Sequence, residues 1–518
     1  MSTLLRHLHL AIAALLASAA SAQTPFRTDF RRTTDVPTHL RYDVGRDSRA
    51  FNASGDNGMG RYGESGRGSV ASIGSPVVPV IMVAFADADF LPTTDVVKVS
   101  RWLNEEGYSD ERFTGGSVAD YFRDNSYGLF TPHFDVVDRV TVSQPLAYYG
   151  AHGSSSNDIR PGALVQEAIG LAMSHGVNFD TYATDGNVPI VGIIHAGPGE
   201  HEDMGYKFGD PDCDNYIWAH HRSLGYTTGG NTFRSYIICN EAMRNFVDDA
   251  PVSANMTGIG TFCHEFCHAL GLPDTYDVDG GTPETLSHTP GIWDVMDYQF
   301  MLNGYRPGCL NAYERCMLGW LELEELPIDG GIVTLHPLDG DLGTATPHRA
   351  YRITNPVNAS EYLVLENRQP STWHVSTLGS SVILGSGMLV WHIDYSASAW
   401  SSNSVNTNFY QQHISVVPAD GEWQEIAYSD NDGDLFPGSM GVTTLDSSVA
   451  KFNTGTFDTI VHDITQQPDG TITFRVGTIT HIDAAPDGTA ARPYGIDLWG
   501  RPSQQHGISI GGGRKTMR

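Results

Sequence analysis

The stretch His264-Glu265-Phe266-Cys267-His268-Ala269-Leu270-Gly271-Leu272-Pro273-Asp274 decides how the rest of the chain is read. On a helix, the i and i+4 spacing sets both imidazoles on one face, with a carboxylate next to the first. Neutral imidazoles so placed suit a tetrahedral Zn²⁺ at about 2.0–2.1 Å per ligand. Glu265 is then positioned to deprotonate a water rather than to bind the metal. Gly271 lets the backbone leave the helix at positive φ, and the turn can bring Asp274 back as an oxygen ligand. The motif therefore predicts a zinc site of His264, His268 and Asp274 with one corner open, and Glu265 as its base. Asp277 and Glu284 are nearby oxygen donors that compete for the third position. The plainer alternative is an amphipathic helix with two hydrogen-bonded histidines.

Around this motif the chain divides into five parts. Residues 1–22 read as a secretory signal, with Arg6 and His7 before the apolar run Leu8 to Leu16 and Ala20-Ser21-Ala22 as the cleavage site. That run is too short for a span of about 20 residues, and no later segment qualifies, so no membrane-spanning segment is expected. Residues 23–75 form a polar, glycine-rich leader or propeptide, in which Asp35, Asp43 and Asp47 are available to cap a metal. Residues 76–325 are read as the catalytic domain, 326–480 as a β-rich domain, and 481–518 as a tail. The expected class is α+β: a zincin-like (metzincin-like) domain followed by an antiparallel β-rich one.

Composition bounds the partners. A formal charge of −29, from 31 basic and 60 acidic residues, argues against nucleic acid or anionic membrane. It fits an exported protein, and the carboxylates make Ca²⁺ a further candidate cofactor. Asp430-Asn431-Asp432-Gly433-Asp434 concentrates oxygen donors around a turn glycine, yet lacks a full calcium loop, so a plain acidic turn is an equal reading. Six cysteines, all between Cys213 and Cys316, are either core thiols or up to three disulfides. A monomer is expected, with oligomeric state left open.

Along the chain, Val77 to Phe85 and Val188 to His195 read as buried strands, and Ser117 caps a helix running to Phe122. Pro161 to His175 reads as a long helix. His195, Glu200, His220 and His221 are candidates for substrate or a second ion, against ordinary core and turn roles. Gly331 to His336, Glu361 to Glu366, Gly387 to Ile393, His413 to Val417 and Thr471 to Val476 read as alternating strands. In Trp293-Asp294-Val295-Met296-Asp297-Tyr298, Met296 is placed to floor the metal and Tyr298 to stabilise an oxyanion.

Taken together, these segments resemble the immune inhibitor A-like secreted metallopeptidases in their Bacteroidetes-type form, from about Val77 to Thr478. The resemblance rests on Gly116-Ser117-Val118-Ala119-Asp120-Tyr121-Phe122 with Asn125-Ser126-Tyr127-Gly128, on His195-Ala196-Gly197, on Ile217-Trp218-Ala219-His220, and on the zinc and Trp293 to Met296 segments. Leu365-Glu366-Asn367-Arg368-Gln369, Leu389 to Asp394 and Phe436-Pro437-Gly438 extend it. It implies an exported zinc endopeptidase acting on proteins or peptides, often with bound Ca²⁺ and held latent by an N-terminal segment. His264, His268 and Asp274 are the implied ligands and Glu265 the general base. Cys267 departs from the family's usual Gly or Ser. The tail, at Tyr494 to Arg501 and Gly507 to Ile510, resembles type IX-like sorting modules, or is nondescript. A catalytically silent zincin scaffold serving as an adhesin is the rival reading.

Overall fold

The computed structural model describes residues 68–478, apart from 111–114, 154–157, 203–212, 248–249, 279–288, 298–305, 329, 341–346, 375–376, 379–381, 409 and 422–430. Beyond them it describes four short strands between Gly495 and Thr516, which pair as two hairpins in a unit of their own. The signal, most of the leader with its three aspartates, Glu284 and Tyr298 lie outside the described residues.

The fold is α+β. A six-stranded sheet is built from β1 (Val77–Ala84), β2 (His133–Thr141), β3 (Asn187–Pro198), β4 (His220–Thr228), β5 (Asn231–Val247) and β6 (Ala250–Met256). Its order is β2-β1-β3-β5-β4, with β6 also pairing β5. The first four of these run parallel, whereas β4 and β6 are antiparallel to β5. β1 sits between two parallel neighbours and is buried almost throughout, which accounts for its unbroken apolar sequence.

Helices α1 (Val96–Asn104), α2 (Val118–Asn125), α3 (Leu146–Gly150) and α4 (Pro161–Ser174) connect the strands. Ser117 to Phe122 reads as a capped helix start, and the structure adds that Ser117 caps α2 reciprocally with Asp120. The motif helix α5 (Gly260–Leu270) follows β6 and is buried along its whole length. It has two inward faces. Phe262 and Phe266 sit two positions from His264 and His268, hence on the opposite side of the helix. They meet Trp102, Phe122, Phe130 and Phe134 at centroid separations of 5.1–6.3 Å. Each such aromatic pair adds about 0.5–1.5 kcal/mol beyond area burial. The residues before β1 join this core: Val70 N donates to Ala269 O at the end of α5.

After α6 (Ala312–Met317), strands β7 (Glu324–Glu325), β9 (Ala350–Asn355), β10 (Asn358–Arg368), β11 (Gly387–Asp394) and β12 (Ile414–Val416) form a sheet of order β12-β11-β10-β9-β7. It is antiparallel except for the β7–β9 pair. A second sheet joins β8 (Ile332–Leu335), β13 (Thr459–Gln466) and β14 (Ile472–Thr478). All five strand segments read from this part of the sequence are strands.

The alternation expected of β10 and β11 is not observed, because both faces of these two strands are buried and apolar. Tyr362, Val364, Leu389, Trp391 and Ile393 belong to the core shared with the six-stranded sheet. Leu363, Leu365, Met388 and Val390 belong to a second core with β8, β13 and β14. The sheet is therefore sandwiched, with its first face closing the core that carries α5.

Candidate metal centre

α5 delivers both histidines to one point. Their rings lie 4.7 Å apart at 82°. Gly271, at φ 110°, ends the helix in the left-handed region and turns the chain toward Asp274. Asp274 Oδ1 then stands 3.3 Å from His264 Nε2 and 3.1 Å from His268 Nε2, all three side chains being buried. Ligands of a tetrahedral zinc at about 2.0–2.1 Å are separated by about 3.3–3.4 Å.

The tautomers fit as well. His264 Nδ1 lies 2.8 Å from Val295 O and His268 Nδ1 lies 2.8 Å from Leu272 O. A carbonyl only accepts, so both Nδ1 atoms carry hydrogen and both Nε2 lone pairs converge on a carboxylate oxygen. Such a meeting of acceptors needs a proton or a cation between them. Burial opposes charge on both His268 and Asp274, yet their mutual attraction wins: His268 is pushed up to about 9 and Asp274 held below the usual carboxylate range. The donor set and its spacing suit zinc.

Glu265 is buried, with a carboxylate oxygen within 4.8 Å of ligand nitrogens on both histidines. It receives the His221 backbone N–H. Burial raises its carboxyl, while the two imidazoles pull it back. That is the environment of a proton acceptor tuned upward from an ordinary glutamate.

The Trp293 to Met296 segment supports this group from beneath. Val295 O orients His264, and Met296 is fully buried with its carbonyl accepting from Thr275 N. Asp294 accepts from Thr275 Oγ1 at 3.0 Å and from Met296 N at 2.8 Å. Glu314 of α6 lies against it. Burial raises both carboxyls, and the nearby Asp294 charge raises Glu314 further.

The C-terminal strands complete the support, a contribution not visible in the sequence. Arg368 pairs with Glu366 at 2.6 Å and reaches Trp293 O, and Glu366 also accepts from Ala312 N. Asn403 meets Asp274 through two hydrogen bonds, and Asn406 donates to Thr275 O at 2.6 Å. Only a serine- and asparagine-rich loop marks this region in the sequence, and such loops are common.

Asp274 is therefore the carboxylate found against both imidazoles, and Asp277 is half-buried. His195, His201, His220 and His221 lie buried nearby, and burial keeps all four neutral; it lowers His195 and His220 to about 4 and His201 to about 3. His220 is engaged by Trp218 O and Tyr236 Oη, a core role. His152 Nε2 meets buried Glu200 at 2.9 Å.

One expectation is corrected and one gains no support. The disulfide reading fails, because all six cysteines are free thiols. Four of them have distinct surroundings: Cys263 and Cys267 pack in the aromatic core, Cys309 Sγ faces Arg368 and Cys213 Sγ donates to Glu200 O. A shared core of this size needs no cross-links. Calcium is unsupported as well. In the acidic turn, Asp434 is buried and accepts from Trp293 Nε1 at 2.7 Å, so that carboxylate anchors the Trp293 segment. Asp430 lies outside the described residues.

Residues 102–299 match the immune inhibitor A peptidase M6 catalytic domain. This stretch is thus similar to a peptidase M6 domain. Immune inhibitor A of Bacillus thuringiensis subsp. alesti is 30% identical over 200 residues, covering 33% of this chain and 28% of that protein. Pre-pro-metalloprotease PrtV of Vibrio cholerae is 24% identical over 255 residues, covering 43% of this chain and 27% of that protein. The chain therefore spans under a third of the length of these curated relatives. The match ends at 299, so the M6 domain as matched includes both histidines, Glu265 and Asp274 but none of the residues of β10 or the Asn403 loop that hold them.

Proposed function

We propose that the chain is an exported zinc endopeptidase that hydrolyses proteins or peptides, built as a zincin-like catalytic domain with an appended β-rich part. The observation that carries this reading is the convergence of His264, His268 and Asp274 at zinc-ligand spacing, with the Glu265 carboxylate alongside. The M6 match and a relative named as a metalloprotease support it. Export rests on the signal-like residues 1–22; no described helix is long and apolar enough to cross a membrane.

Bound zinc would supply Lewis acidity, lowering the pKa of water from 15.7 to about 7. His264 and His268, fixed by the Val295 and Leu272 carbonyls, would hold it with Asp274. Glu265 accepts the proton of the attacking water and returns it to the leaving amine nitrogen. Tyr298 is assigned the oxyanion on sequence position alone.

Zinc content and caseinolysis of wild type and Glu265→Gln test the proposal together. Both proteins should carry one zinc, and the variant should lose about 10²–10⁴ in kcat. Undiminished caseinolysis in Glu265→Gln would sink the assignment. An adhesin built on the same scaffold would show no turnover in either protein.

A further inference from the structure

Asn403 lies 129 residues beyond Asp274 and outside the matched M6 stretch, yet both ends of its amide are committed to that aspartate. Its Nδ2 donates to Asp274 Oδ2 at 2.6 Å, and its Oδ1 accepts from Asp274 N at 2.7 Å. Asn403 is buried, so little water competes for either bond. With Oδ2 and the backbone amide both held, the carboxylate is oriented so that Oδ1 is the oxygen presented to the two imidazoles.

We infer that Asn403 is a positioning residue for the metal centre, selecting which oxygen of Asp274 is offered as the third ligand. The inference rests on the reading of His264, His268 and Asp274 as zinc ligands. Groups that hydrogen-bond a metal ligand orient it and tune its basicity, and their loss typically costs 10–100-fold in metal affinity.

A purely local role must be set beside this one. Asn403 follows the short helix α7 (Ala397–Ser401) at φ 50°, where Ser404 N returns to Ala399 O. A left-handed residue after a helix is a common stop, and asparagine is one of the few residue types that tolerates it. That role explains the residue type but requires nothing of its side chain. Glycine would fill it equally well, and the two roles therefore separate experimentally.

Asn403→Gly in the full chain keeps the backbone turn and removes both bonds to Asp274. Zinc affinity is read by competition with a chelator, and ligand geometry by the absorption spectrum of the Co²⁺-substituted protein. We expect the zinc Kd to rise about 10–100-fold and the Co²⁺ spectrum to shift, while the metal-free protein still unfolds in one cooperative transition at a somewhat lower temperature. In an Asp274→Ala background, Asn403→Gly should have no further effect on zinc affinity. A Kd within twofold of wild type overturns the inference, as does an equal loss in both backgrounds. Should the glycine variant fail to fold, Asn403→Ser, whose hydroxyl is too short to make both bonds, is read the same way. If wild type itself binds no zinc, the ligand reading fails; if wild type binds zinc and Asn403→Gly binds it equally, only the role of Asn403 fails.

Discussion

Arg315 on α6 offers a sharp test of how the supporting framework is held. Its side chain is wholly buried. Its Nε donates to Leu310 O at 2.9 Å, and its terminal nitrogens donate to Tyr127 Oη and Asn125 Oδ1, each at 2.9 Å, and to the Asp339 carboxylate. The Tyr127 ring lies 5.3 Å from the guanidinium carbon. Arg315→Met preserves volume but strands Asp339, which keeps only Ser371 among these partners, and leaves the Leu310 carbonyl without its donor. Removing one partner of a buried pair costs about 3–5 kcal/mol. Asp339 is 16% exposed, which places the expectation near the lower bound. Adding Asp339→Asn removes the stranded charge and should recover about half of that loss. Urea unfolding at fixed free zinc measures both, since bound metal would otherwise shift the apparent stability. A loss below about 1 kcal/mol, or a double variant no more stable than Arg315→Met, refutes the reasoning.

Two further outcomes follow from the same structure. Burial alone would raise Glu361, but His392 Nε2 at 2.9 Å, the Asn453 backbone N–H and Asn355 Nδ2 bring its carboxyl down to about 2. A depressed carboxyl contributes stability above its unfolded pKa of about 4.3 and loses it as pH falls toward 2. With allowance for solvent near the site, this is about 2 kcal/mol, which Glu361→Gln should remove from the acid limb of a pH–stability curve. The free cysteines predict that protein denatured without reductant yields six reactive thiols; a count of four or fewer would restore the cross-linked reading.

How much was legible follows from the range of each interaction. α5, its glycine stop and the Ser117 cap depend on neighbours within a few residues, and spacing alone exposes them. The ligand set is equally local, since Asp274 lies six positions past His268. The strands after Glu325 were visible, but the sandwiching of β10 and β11 was not, because a strand apolar on both faces looks the same whichever layers enclose it. Cysteine pairing was undecidable, as thiols at these spacings suit either state. Asn403 and Asp434 were invisible as partners of Asp274 and Trp293. Each meets its partner across more than a hundred residues, and a hydrogen bond at that range leaves no periodicity to read. The motif Leu365-Glu366-Asn367-Arg368 carries no role legible in the sequence; the Arg368 reach to Trp293 O supplies one.

The 129-residue separation between Asp274 and Asn403 also sets an order of events during synthesis. At about 5–20 residues per second, a ribosome needs roughly 6–26 s to pass from one to the other. For that interval both histidines and the glutamate already exist on the nascent polypeptide, while the amide that steadies the aspartate has yet to be made. The support of Asp274 is thus completed only once the far end of the chain has been made.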